Sequence, residues 1–187
     1  MNLKNTIIQT RDSIKLPVIF LSFLWLIQII NATFFNYGLN HFGIFPRTLS
    51  GLTGILFAPF LHGNYQHLIS NSFMILLLSW IICFYDKRTW FNSIIIGTLI
   101  GGIITWTFGN YGVHIGASIL IFSLWGTILG IAVFHRKPFF IIASLILMAT
   151  YGLGMLYGLI PQSNISLSGH LGGLIAGFIF AKYSKHN

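Results

Sequence analysis

The sequence predicts an all-α polytopic membrane protein with six transmembrane helices and a membrane-embedded first outer loop. Three observations carry this. Hydrophobic residues fill 55% of the 187 positions, and the mean hydropathy is +0.82. Charged residues amount to 6%, against about 25% in a soluble domain, too few to hydrate a surface. Six separate apolar stretches approach the length of about 20 residues that crosses roughly 30 Å of hydrocarbon.

The spans read, in order, Pro17 to Phe35, Tyr65 to Tyr85, Trp90 to Phe108, Ile115 to Phe134, Pro138 to Leu159 and Leu167 to Tyr183. The first is too long for a signal-peptide core and lacks a small-x-small cleavage site, so it reads as a retained anchor. Residues 1–16 and 184–187 then form tails around a single membrane domain, 17–183. Lys4, Arg11, Lys15, Lys87, Arg88, Arg136, Lys137, Lys182 and Lys185 all fall at one end of this layout, leaving Arg47 alone at the other. By the positive-inside rule the nine-residue face is cytoplasmic, with both termini on it; the lack of any targeting extension makes a bacterial inner membrane the expected cell membrane. The net charge of +8 is thereby accounted for by the loops, and no nucleic-acid partner is called for. Disorder is excluded by hydrophobicity, and a disulfide scaffold by the single cysteine, Cys83.

The connection from Asn36 to Asn64 differs from the other loops. It is rich in Phe, Leu, Ile and Gly, reading Gly51-Leu52-Thr53-Gly54-Ile55-Leu56-Phe57-Ala58-Pro59-Phe60 in its second half. That is too apolar for an aqueous loop and too broken by Gly and Pro to span. It is expected to lie in the outer leaflet with its backbone buried against protein.

Polar residues gather at the outer ends of the spans. His67 and His170 each sit a little inside a span, where ionisable groups are expensive and commonly functional. His41 and His114 read as interfacial residues. Ser118 lies about one turn below the outer surface on the fourth span, and His170 lies at a similar depth on the parallel sixth. Gly169, Gly173 and Gly177 repeat at a spacing that lets two helix backbones approach closely. His67 and Asn71, four apart, share one face of the second span. Asn71 is either a structural hydrogen-bonding residue or a donor to an oxyanion. A zinc site would need three or four histidines, since no thiol or carboxylate is near, and is the weaker option. The acids are Asp12 and Asp86, with no Glu. Both belong to the cytoplasmic side, so no Ser-His-Asp triad can be built at the outer end.

The combination of His62-x4-His67-x3-Asn71, Gly116-Ala117-Ser118, and Gly169-His170-Leu171-Gly172-Gly173-Leu174-Ile175-Ala176-Gly177 resembles the rhomboid intramembrane serine proteases. The resemblance runs from about Gly43 to Ala181. It implies a six-helix bundle in which Ser118 is the nucleophile and His170 the general base, a dyad without an acid or any cofactor or metal. Phe122 matches the position of an aromatic ring packed on the histidine. His67, Asn71 and the Ser118 N–H match the oxyanion donors, and His62 a loop-positioning residue. The implied partners are the lipid bilayer and transmembrane protein substrates, cleaved near the outer surface. The family usually has Gly after the serine, where this chain has Ile119, a branched side chain expected to crowd the substrate or the oxyanion. The Trp-Arg pair of many members' first loop is absent, and Phe45-Pro46-Arg47 stands in that region. Two other classes compete: a catalytically silent relative that binds transmembrane helices, and a small-solute transporter, which lacks inverted repeats and intramembrane charge pairs.

Overall fold

The structure, a computed structural model, describes residues 3–161 and 166–184, with side chains from residue 9 onward. Lys185 lies outside the described residues. Among them the chain is helical, with no strand beyond one isolated bridge between Ile44 and His114.

Helix α1 covers Leu3–Phe34, so residues 3–16, expected as a tail, are helical and continuous with the first span. No glycine interrupts residues 3–16, and Pro17 is accommodated inside the helix. The extension packs on the end of α3 (Tyr65–Tyr85). There Trp80 Nε1 donates to Ser13 Oγ at 3.0 Å and Gln9 Nε2 to the Phe84 carbonyl at 3.0 Å. Between α1 and α3 the loop holds a short helix, α2 (Leu49–Phe57), and 3-10 turns at Gly38–Phe42 and Ala58–Phe60. Thr48 caps α2, its hydroxyl accepting from the Gly51 N–H at 3.1 Å.

Helix α4 (Lys87–Ile96) passes through a π turn at Gly97–Gly101 into α5 (Gly102–Phe108). Its N-terminus is capped by Asp86, whose carboxylate accepts from the Arg88 N–H at 3.2 Å and the Thr89 N–H at 2.7 Å. The other acid, Asp12, pairs with Lys15 at 2.7 Å. Both acids serve local structure. Helix α6 (Ser118–Gly130) ends in a second π turn, Ile131–His135. Helix α7 is Pro138–Tyr157, with Pro138 in the first turn where its missing N–H costs nothing. Helix α8 is Leu167–Tyr183.

Among the described residues five segments are long and apolar enough to cross a membrane: Gln9–Phe34, Tyr65–Tyr85, Lys87–Phe108, Ser118–His135 and Pro138–Tyr157. Helix α8, the sixth expected span, has 17 residues and stands at the lower limit of about 17. The molecule is a multi-pass, all-helical membrane protein.

Helix α6 is the central element, buried from Ile119 through Ile128. Helix α8 lies against it through glycines on both. A Cβ on Gly177 would collide with the Ser123 carbonyl, one on Gly173 with the Ile119 carbonyl, and one on Gly126 with the Leu174 carbonyl. Only hydrogen at these positions lets the two backbones touch, which is how two apolar helices associate when lipid competes for every larger side chain. Hydroxyls add cross-links. Ser123 Oγ donates to the Ser93 carbonyl at 2.9 Å, and Thr127 Oγ1 lies 3.0 Å from Ser93 Oγ. Helix α7 is held more loosely. An apolar cleft of about 580 Å³ separates it from α3, bridged by Phe73 on Tyr151 and Phe84 on Phe139.

Candidate active site

Ser118 is the first residue of α6, and the segment before it is fixed from several sides. Gly116 has φ +121°, a backbone conformation that favours glycine, and its N–H donates to the Ala58 carbonyl at 2.9 Å. Ala117 N–H donates to His62 Nε2 at 3.3 Å. The N–H groups of Leu120 and Ile121 turn back to the Ala117 carbonyl at 2.9 and 3.0 Å. The Ser118 N–H therefore stands ahead of the first intrahelical bond, at the positive end of the helix.

His62, in the loop before α3, is completely buried. Because Nε2 accepts from Ala117, the ring proton resides on Nδ1. Burial, reinforced by His67 close by, pushes the pKa of His62 down to about 3. It is a neutral strut linking the first loop to the residue before Ser118, and its ring meets His67 edge-on with centroids 5.1 Å apart. Among the described residues no third metal-ligating side chain joins these two.

Asn64 starts α3, its Oδ1 accepting from the His67 N–H at 2.8 Å. The helix then carries His67 and Asn71 on successive turns toward Gly116. A Cβ on Gly116 would lie 2.7 Å from His67 Nε2 and 3.7 Å from Asn71 Nδ2. The lack of a side chain at 116 thus makes room for both. Asn71 Nδ2 is buried without a hydrogen-bond partner. A donor in that state costs about 1–3 kcal/mol.

His170 sits in the first turn of α8, 7% exposed. Ser166 caps this helix, Oγ accepting from the Gly169 N–H at 3.2 Å. Two contacts hold the imidazole. Phe122, one turn along α6 from Ser118, stacks on it at 4.2 Å between centroids and 15° between planes. Nδ1 lies 2.6 Å from the Gly158 carbonyl at the end of α7. A carbonyl only accepts, so Nδ1 carries the proton and Nε2 presents a lone pair. Gly158 itself must be small, since a Cβ there would lie 3.0 Å from Phe122 Cζ and 3.3 Å from His170 Nδ1. Nothing local in the sequence marks Gly158, because its carbonyl is brought in from the far end of another helix. Among the described residues no hydrogen bond joins Ser118 Oγ to His170.

Ile119 is 7% exposed and packs inward against the π turn, where a Cβ on Gly101 would lie 2.9 Å from Ile119 Cγ1. Gly173 lies on the same seam, against the Ile119 carbonyl. His41 is exposed on the first loop. His114 is not the simple interfacial residue its position suggests, for both ring nitrogens are engaged: Nδ1 with Ser166 Oγ at 2.7 Å and Nε2 with the Asn110 carbonyl at 2.9 Å.

Residues 49–186 match the family described as Rhomboid domain. The chain is also 34% identical over 174 residues to uncharacterized proteins of Mycobacterium tuberculosis (strain ATCC 25618 / H37Rv) and Mycobacterium bovis, covering 87% of this chain and 71% of each of those. An uncharacterized protein of Mycobacterium leprae matches at the same identity, with 67% of its length covered. With the family matched over most of its length, this chain belongs to the rhomboid family, whose members are intramembrane proteases or their catalytically silent relatives.

Proposed function

We propose that the protein is an intramembrane serine endopeptidase that uses Ser118 and His170 to cleave transmembrane segments of other membrane proteins near the extracytoplasmic side. The observation that carries this is the state of His170. Its ring is pinned by Phe122 and by the Gly158 carbonyl, which together leave Nε2 as a base. In a Ser-His-Asp triad a carboxylate fixes the imidazole tautomer and orientation; here a backbone carbonyl and an aromatic face supply both at an end that holds neither acid.

The chemistry is acyl transfer. Ser118 Oγ attacks the peptide carbonyl carbon while His170 Nε2 takes the hydroxyl proton. The resulting oxyanion is stabilised by the Ser118 N–H at the α6 N-terminus, by the otherwise unpaired Asn71 Nδ2 and by His67. Collapse breaks the C–N bond, and His170 returns the proton to the leaving amine. Water, deprotonated by His170, then releases the acyl group from Ser118. Ile119 packs on Gly101 and also lines, with Gly116 and Ser118, the small pocket beside the nucleophile, so its branched side chain narrows the space a substrate enters.

For topology the reading is six spans, both termini cytoplasmic and the site at the extracytoplasmic end of a cell membrane. Helix α8 shows an exposed stripe of Leu171, Ile175, Ile179 and Tyr183 at four-residue spacing, a lipid face. Leu49, Leu52, Leu56 and Phe57 are likewise exposed on α2, which favours a loop lying in the outer leaflet. The silent-binder reading is favoured by one observation, the missing Ser118–His170 hydrogen bond. Catalytic contacts of this kind are often long before substrate binds.

Purified protein in liposomes with a single-span substrate is the test. Cleavage by the wild type, lost in Ser118→Ala and His170→Ala, is the expected result. Cleavage that survives either substitution overturns the dyad, and a wild type that binds the substrate without cutting it makes the protein a silent binder.

A further inference from the structure

We propose that His114 and Ser166 form a clamp that sets the approach of Ser118 to His170, so that both are positioning residues for the proposed cleavage reaction, on which this inference rests. His114 stands four residues before Ser118 and Ser166 four before His170. The two side chains join the segment that delivers the nucleophile to the cap of the helix that delivers the base, at 2.7 Å.

The protons can be assigned around the whole chain of contacts. The Asn110 carbonyl, 2.9 Å from His114 Nε2, only accepts, so Nε2 carries the proton. Nδ1 must then accept, which turns the Ser166 hydroxyl toward it as donor. The Ser166 oxygen still has lone pairs, and one of them accepts the Gly169 N–H at 3.2 Å. One hydroxyl thus caps α8 and ties it to His114.

The opposite side of His114 is anchored as well. Its N–H donates to the Ile44 carbonyl at 2.9 Å, and its carbonyl accepts the Ile44 N–H at 3.0 Å. The first loop therefore holds the His114 backbone while the side chain holds α8. Deeper in the bundle α6 and α8 are registered by glycine contacts; at the reactive end the His114–Ser166 pair does this instead. The clamp matters because reacting atoms need to be about 3–3.5 Å apart, and a displacement of about 1 Å costs on the order of 100-fold in rate.

The test is a double-substitution cycle in liposomes, with Ser118→Ala as the blank and active sites titrated by a fluorophosphonate. His114→Leu removes the acceptor, Ser166→Ala the donor, and His114→Asn restores an acceptor oxygen. The expected result is a loss of about 10- to 100-fold in kcat per titrated site for either single variant, with KM little changed. The double variant should be no worse than about the poorer single, and His114→Asn should recover most of the rate. A purely structural pair would lower the fraction of titratable protein and the melting temperature while leaving kcat per site intact; that outcome overturns the proposal, as do independent, multiplying losses in the double variant. A wild type that neither cleaves nor labels would overturn the protease reading and this inference with it. An active wild type with fully active variants would overturn the clamp alone.

Discussion

Replacing Asn71 by leucine separates stability from activity in opposite directions. In the resting protein the Asn71 side chain is 7% exposed and its Nδ2 has no partner. An orphaned buried donor costs about 1–3 kcal/mol, and substituting an apolar group of similar shape removes that cost. Leucine has the same branched skeleton as asparagine, with bulkier methyl ends, so no cavity opens. Asn71→Leu is therefore expected to be more stable than the wild type by up to about 1–3 kcal/mol. The same substitution removes a donor that the reaction uses only when the oxyanion forms. Loss of one such donor costs about 100- to 1000-fold in kcat. The assay pairs thermal unfolding in detergent with initial rates on a single-span substrate in liposomes. A variant that is destabilised, with a rate that falls only in proportion to the unfolded fraction, would refute the reasoning and make Asn71 a structural hydrogen-bonding residue.

Substitutions at three further positions test the buried histidine, the helix contact and the stacked ring. His62 binds no proton in the fold until about pH 3, whereas the unfolded chain takes one up below about 6.5. Stability should therefore fall as pH drops below 6.5, by about 1.4 kcal/mol per unit from this group; His62→Gln should show a flatter pH profile of melting temperature, and an unchanged profile would remove His62 from the buried, neutral role. Gly177→Leu puts a side chain where the Ser123 carbonyl already lies, so it should destabilise by about 3 kcal/mol or more, read as a drop in melting temperature; a variant as stable as the wild type would deny the α6–α8 backbone contact. Phe122→Tyr, which keeps the ring on His170, should retain activity within a few-fold, while Phe122→Leu should lose about 10-fold or more from the stacking of about 0.5–1.5 kcal/mol and the lost orientation; equal kcat values for the two would show that the ring acts only by filling space.

Much of the architecture was legible from composition because a bilayer imposes one rule on every span. A long apolar run must become a helix, and Tyr65–Tyr85 and Leu167–Tyr183 follow from that alone. The glycine spacing on the last span was readable for the same reason, since Gly173 and Gly177 fall on one face. Span starts were less legible. The rule says nothing about polar turns, so the helical extension of α1 back to Leu3 and the non-helical lead of residues 115–117 escaped it. The π turns at Gly97–Gly101 and Ile131–His135 lie inside apolar runs whose composition does not set them apart from α-helix.

At the site, the side chains that could do chemistry were visible because polar groups are rare in such a sequence. What orients them was not. The Gly158 carbonyl that fixes His170 is a backbone atom, and any residue supplies one. The packing of Ile119 depends on space at Gly101, a position with no sequence proximity to it. His114 carried a signal that could have been used, its spacing of four before Ser118 matching that of Ser166 before His170.

The central claim is that His170 activates Ser118. Mass-spectrometric mapping of the fluorophosphonate adduct on the membrane-embedded protein tests it most directly. Modification is expected at Ser118 alone, absent in Ser118→Ala and slowed by about two orders of magnitude in His170→Ala. Labelling of Ser118 at the same rate with and without His170, or no labelling of Ser118 in the wild type, would contradict it.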